Sequence, residues 1–443
     1  MFEMNLMKYK LLSRATVIIS ILVVGLLSQL AFAPKAEATT YNVTPSSACS
    51  FQEALEAAAT DTPVGSCAAG DGDDTVNVGA GTYTLSASLG YIVNPGNISV
   101  VGENATTTII DGAGFSGVVV ATTGNYLIEN LTFQNFSPTD PGAALINNAA
   151  GNVTLNKLII KNNTCVGVTP VCAIAVTFSA AGINTTISNS VFTENTAFFL
   201  IGNIRTVNEG PSGNATMNVF NNTIYNNNSS ILAIQNSVDA EGQSTANFYN
   251  NTVVNNKYYA EFVDEPFIVN LGSDPAYFSA SLNLRNNIFS SNKRTDGTTP
   301  GNCVTSIGEN ATLTSDGGNI SNDDTCNTLF IATNDKNSTD PLLGAYQQVG
   351  NTFVLPLQAG SPALENAVAG SPATPSIDQR GVTRPQAALA DSGSYEYVYP
   401  TPDSGGSGGT LAGTGWDAKT PALIAGLLVL GGILATGYAV KRR

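Results

Sequence analysis

The stretch VFNNTIYNN (Val219–Asn227) carries the pattern from which the fold is read. An apolar residue leads into asparagine, a short β-prone run follows, and asparagine closes it. The pattern returns as FYNNTVVNN from Phe248, LRNNIFSSN from Leu284, ISNSVFTEN from Ile187, LNKLIIKNN from Leu155 and IENLTFQNF from Ile128. Successive copies start 27, 32, 32, 29 and 36 residues apart, a spacing that marks a solenoid or repeat array. The third position is Asn130, Asn189, Asn221, Asn250 or Asn286, with Lys157 as the exception. The sixth is always apolar, and the ninth is Asn163, Asn195, Asn227, Asn256 or Asn292, with Phe136 as the exception.

A few apolar residues cannot bury both faces of one such unit, but stacked copies can. Val, Ile, Phe, Tyr and Thr between the asparagines suit short parallel strands. Asparagine tolerates left-handed backbone and bonds locally at a sharp corner. Stacked asparagines can also bond one another as a polar ladder, predicted here through Asn130, Asn189, Asn221, Asn250 and Asn286. The expected fold is all-β: a single-stranded parallel β-helix. Helical repeats of similar period are disfavoured by the density of Asn, Thr and Gly and by the lack of an i, i+3, i+4 pattern. β-Propeller blades are longer and carry other signatures. SFQEALEAAA (Ser50–Ala59) reads as a short capping helix, with Ser50 as N-cap, Glu53 as capping-box partner, and Phe51, Ala54, Leu55 and Ala58 on one face.

Both ends of the 443-residue chain read as address segments. Basic residues, the apolar run ATVIISILVVGLLSQLAFA and the small-residue site AEA (Ala36–Ala38) form a signal peptide over 1–38; an uncleaved anchor is the alternative. PALIAGLLVLGGILATGYAV (Pro421–Val440) followed by KRR has the length and basic stop of a membrane-spanning helix with a cytoplasmic end. The expected organisation is a leader over 1–38, a capped β-helix over 39–335, its C-terminal end over 336–399, a Gly/Ser/Pro linker over 400–414 and an anchor with basic tail over 415–443.

The net charge is −15 and there is no histidine. A chain with no basic patch on its exterior portion is a poor nucleic-acid ligand. Without histidine, Ser-His-Asp triads and the usual zinc sites are excluded. The six cysteines form three sequence-local pairs, Cys49 with Cys67, Cys165 with Cys172 and Cys303 with Cys326. In an exported chain these are disulfide candidates, although six cysteines allow fifteen connectivities.

The run CSFQEALEAAA…CAAGDGDDTVNVGAGTYTL (Cys49–Leu85) resembles the CSLREA-type start of bacterial surface β-helix proteins, with Phe51 and Gln52 departing from that pattern. DPLLGAYQQVGNTFVLPLQAGSPALENA (Asp340–Ala367), DQRGVTRP (Asp378–Pro385) and DSGSYEY (Asp391–Tyr397) resemble the choice-of-anchor Q ending. The resemblance implies a right-handed parallel β-helix on an exported bacterial protein. After it, LAGTG (Leu411, Ala412, Gly413, Thr414, Gly415), the apolar helix and the basic tail are similar to a sortase sorting signal, with Ala412 where proline is commonest. By that likeness a sortase cuts after Thr414 and joins the protein to the cell wall; a plain membrane anchor is the alternative.

For function, the reading is a structural or adhesive cell-surface protein binding polysaccharide or a host surface, with Tyr225, Tyr249, Tyr258 and Tyr259 as candidate stacking platforms. The rival is a polysaccharide lyase or glycoside hydrolase, which needs paired carboxylates or acids beside a base. The sequence shows no such motif; EFVDEP (Glu261–Pro266), near Lys257, is its densest acidic cluster. Asp71, Asp73 and Asp74 in DGDD are candidate calcium ligands, against the plainer reading of a turn. No catalytic or cofactor-binding residue is assigned.

Overall fold

The structure is a computed structural model that describes residues 38–400 apart from 93–95, 121–123, 138–145, 149–150, 166–172, 179–182, 206–213, 237–241, 259–266, 270–277, 304 and 309–310. The leader, the linker, the LAGTG motif and the apolar C-terminal segment lie outside the described residues. Among those described, no helix is long and apolar enough to cross a membrane. Residues up to Val398 form one compact unit.

The chain winds as a parallel β-solenoid. Successive strands stack into parallel sheets of ten, nine and nine strands, and each full coil gives one strand to each. Val219–Asn227 spans the join between two of them: Ala215–Phe220 lies in the ten-stranded sheet and Thr223–Tyr225 in a sheet of three-residue strands. The alignment of the repeats is also the register of the stack. Ile128 pairs with Leu155, Leu155 with Ile187, Ile187 with Val219, Val219 with Phe248 and Phe248 with Leu284.

Two left-handed residues turn each coil around its three-residue strand. Asn130, Asn189, Asn221, Asn250 and Asn286 all take φ between 52° and 60° at the first corner, and Lys157 takes 52° there. Asn135, Asn162, Glu194, Asn226, Asn255 and Ser291 do the same at the second. Asparagine dominates because its short polar side chain tolerates this backbone better than other non-glycine residues.

The predicted ladder is displaced by one residue. A left-handed corner residue points outward, so the residue after it points in and stacks. Asn222 Nδ2 donates to Asn251 Oδ1 at 3.0 Å, Asn251 to Asn287 at 3.2 Å and Asn287 to Asn319 at 3.0 Å. At the second corner the inward row is the expected ninth position: Asn195 Nδ2 donates to Asn227 Oδ1 at 3.0 Å, Asn227 to Asn256 at 2.9 Å and Asn256 to Asn292 at 2.9 Å. Of the predicted corner row, only Asn189 and Asn221 bond each other, at 3.2 Å. Asn250 and Asn286 instead donate to the carbonyls of Asp391 and Val368 in the C-terminal segment.

Between the two rows the middle residue of the short strand enters the core: Ile160, Phe192, Ile224, Val253 and Phe289 are fully buried. The helix Phe51–Thr60 closes the N-terminal end, with the Ser50–Glu53 capping box formed and Phe51, Ala54 and Leu55 buried. Cys49–Cys67 and Cys303–Cys326 are disulfides. Cys165 is also disulfide-bonded; its expected partner Cys172 lies outside the described residues.

Lys336 still pairs in parallel with Ile320, but residues 337–398 do not extend the coil. Apart from the hairpin Gln347–Val349/Thr352–Val354 they are irregular, and they lie against the outer face of the short-strand sheet. Thr223 Oγ1 meets Gln379 Oε1 at 2.6 Å, Ser394 N donates to Thr252 Oγ1 at 2.9 Å, and Ile288 and Ile320 pack with Leu357 and Ala363.

Candidate functional site

Packing this segment onto the first corner leaves a groove of about 680 Å³. One wall is the corner row Asn130, Lys157 and Asn189. The other is the hairpin turn at Gly350–Thr352 with residues 377–382, and Glu103 also lines it. The hairpin wall is held by Asn104 Nδ2 donating to Asn351 Oδ1 at 2.8 Å and by Gln379 Nε2 donating to Thr352 Oγ1 at 2.8 Å. Asn221 Nδ2, one coil beyond Asn189, holds the Ile377 carbonyl at 2.8 Å.

Both cations lining the groove are matched to carboxylates. Lys157 Nζ donates to Glu129 Oε1 at 3.1 Å, with the lysine half exposed. Arg380 donates from Nε and Nη2 to Asp378 Oδ2 at 2.9 and 2.6 Å, and its guanidinium lies 3.4 Å from the centroid of the Tyr395 ring. Asp378 is fully buried by this pairing and also accepts from the Arg380 and Val382 amides. Glu103 is the one exposed carboxylate among the described lining residues. General acid–base cleavage of a glycosidic bond needs two carboxyl groups flanking it, and a lyase needs a base free to take a proton. One carboxylate does not make such a pair, and apart from Glu103 the free groups here are amides, hydroxyls and backbone, which suit hydrogen bonding to a polyol.

Behind the groove lies a buried charge network formed by the DQRGVTRP and DSGSYEY motifs. Arg384 Nη1 pairs with Glu396 Oε2 at 2.9 Å, both side chains 1% exposed. Asp391 accepts from the Glu365 and Tyr397 amides, and burial pushes its carboxyl up to about 6. These motifs therefore fasten the C-terminal segment down. Their charges gave no sequence signal for that role beyond the resemblance.

The other sequence candidates fall elsewhere. Tyr249 and Tyr258 are 6% and 1% exposed, and Tyr225 stacks on Tyr346 with centroids 4.4 Å apart, so all three are packing residues and not open platforms for sugar rings. Tyr259 and Glu261–Pro266 lie outside the described residues. Asp73 Oδ1 accepts from Asn97 N and Nδ2, both at 2.9 Å, and Asp74 Oδ1 accepts from Thr39 N and Asp71 N, so Asp73 and Asp74 brace the turn before the first full coil. No group of three or more metal-ligating side chains gathers among the described residues.

No family model matches the chain, and no curated protein matches it. Among solved structures, a mannuronic-acid-specific polysaccharide family 6 lyase from human gut microbiota aligns over 64% of this chain and 80% of its own, at 13% identity and a TM-score of 0.24. A mutant of the PL6-family alginate lyase AlyGC aligns over 75% of this chain and 57% of its own, at 10% identity and a TM-score of 0.21. Likenesses at these scores say nothing about this chain's chemistry.

Proposed function

We propose that the chain is an exported bacterial surface protein whose β-helix, wound right-handed, binds neutral glycan in the groove between its first corner row and its C-terminal segment. The observation that carries this reading is the pairing of Lys157 with Glu129 and of Arg380 with Asp378, which leaves no unmatched cation in the groove and, Glu103 at its edge apart, uncharged groups as the free hydrogen-bonding partners. Acidic polysaccharide meets no unmatched cation there and faces a chain of charge −15. In this reading the leader over 1–38 exports the β-helix, and the linker and LAGTG (Leu411–Gly415) attach it, through the membrane helix or, after cutting by sortase, to the wall. Adhesion follows from that placement.

The test uses the purified full chain in detergent, with soluble neutral glycans, pectin and alginate, each with and without calcium. Binding of neutral glycan with no new reducing or unsaturated ends is expected. Asn351→Trp, which fills the groove from an exposed turn, should weaken that binding at least tenfold. Unsaturated ends from pectin or alginate would establish the lyase reading instead.

A further inference from the structure

The ten-stranded sheet presents an outer face that the groove does not use. Its register lines up two columns of outward side chains. One runs from Asn97 through Asn125, Asn152 and Asn184 to Thr216, and ends at Thr312. The other runs from Thr75 through Ser99 and Leu127 to Thr154 and Thr186, and ends at Thr314. Every side chain in both columns is a hydroxyl or an amide except Leu127, and every one is half-buried or exposed. Neither column holds an Asp, Glu, Lys or Arg, in a chain where 12% of residues are charged. A solvated sheet face normally carries charge, both for solubility and to deter association. The two columns exclude it from Asn97 and Thr75 onward; the first starts on Asp73, which accepts from Asn97, and Glu129 and Arg285 stand in the next outward column, toward the corner.

The columns are also pre-ordered. Asn125 Nδ2 donates to Asn97 Oδ1 at 3.0 Å and Asn152 to Asn125 at 2.9 Å. In the second column Asn247 donates to Asn218 at 2.9 Å and Asn283 to Asn247 at 3.0 Å. Parallel strands repeat every ~4.8 Å along the axis, and outward residues two apart on a strand sit ~6.6 Å apart, so the face is a flat lattice of small polar groups. Side chains already held in place lose little entropy when a partner docks.

We propose that this face binds a second, ordered ligand: the surface of a neutral, linear, hydroxyl-rich polysaccharide packed as an insoluble polymer. An uncharged lattice removes no charge from water when a neutral polymer covers it, and its donors and acceptors repeat as those of such a polymer do. The face is continuous with the groove, because Glu129, Asn156 and Ser188 at the ends of its strands directly precede the corner residues Asn130, Lys157 and Asn189. It needs none of the groove's residues, so the two readings stand apart.

The experiment is co-sedimentation of the full chain in detergent with microcrystalline cellulose, with chitin and with calcium-alginate beads. Thr154→Lys/Thr245→Lys places one charge in each column at half-exposed positions, and Thr154→Ala/Thr245→Ala is the milder variant should the first not fold. Retention on cellulose or chitin is expected, falling at least tenfold in the Lys pair and about threefold in the Ala pair, with melting unchanged. The groove variant Asn351→Trp should sediment like the unaltered protein. Equal retention of both face variants, loss of retention in Asn351→Trp alone, or binding to alginate only would overturn the proposal. So would incorporation into growing ice without binding to either polymer, which would assign the lattice to ordered water.

Discussion

Asn227 uses every polar atom it has. Its backbone N and Nδ2 both donate to Asn256 Oδ1, Nδ2 donates also to the Phe192 carbonyl, and its Oδ1 accepts from Asn195 N and Nδ2. Asn226 beside it is exposed and supplies the left-handed corner, at φ 57°, and one acceptor, its Oδ1 taking Asn255 Nδ2 at 3.2 Å. The two therefore fail differently. Asn227→Ala strands two buried donors on Asn195 and the Phe192 carbonyl, each costing about 1–3 kcal/mol, so a loss of about 3 kcal/mol is expected. Asn226→Ala costs the left-handed strain, about 1 kcal/mol, while the Asn255 amide that it frees is exposed and bonds water instead. Urea unfolding of the two variants side by side measures this, and an equal or reversed order would sink the ladder account. The rows also end alike: Asn319 N donates to Asp335 Oδ1 at 2.8 Å, Asn302 N to Asp323 Oδ2 at 3.3 Å, and Asn97 to Asp73. These three chains of aligned amides thus finish on a carboxylate that accepts from the terminal donor, as charge-assisted hydrogen bonding favours.

At the scale of elements, the short-strand sheet and the segment covering it depend on one another. Thr252, Ile288, Val191 and Ile159 point away from the solenoid interior, yet all are buried because the segment lies on them. The coils were legible in the sequence because a stacked unit must repeat its corner and core residues at each turn. The covering segment has no period, and its contacts join residues such as Thr223 and Gln379 that are 156 apart, so its packing and the groove it makes left no local trace. Within it, Asp391 gives a pH signature. Burial raises its carboxyl to about 6, whereas in the unfolded chain it titrates near the ordinary ~3.9. Between those values the folded state holds more protons than the unfolded one, so this group's contribution to stability falls as pH rises from about 4 to about 6. Arg384 and Glu396 face it from the same segment and leave that direction intact. The melting temperature of the unaltered chain should fall relative to that of Asp391→Asn as pH rises through that window; a constant difference from pH 4 to pH 7 would contradict it.

Over the whole molecule, charge is kept off two outer columns of the long sheet and the cations lining the groove are paired, while rows of amides brace the interior and both of those columns. A body of this kind resists unfolding through many small, repeated contacts and presents neutral polar surface, which suits the contact with polymers outside the cell that we propose. Its use there depends on attachment, and the ends of the chain carry that requirement. Gly, Ser and Pro dominate the residues just after Tyr399. With leader removal after Ala38 and cutting after Thr414, the mature protein runs from Thr39 to Thr414. Intact mass spectrometry of protein released from cells by wall-degrading enzyme should then give that span carrying a wall fragment on Thr414. Recovery instead in the detergent fraction, with Arg443 as the last residue, would make the apolar segment a lasting membrane anchor and remove sortase from the account.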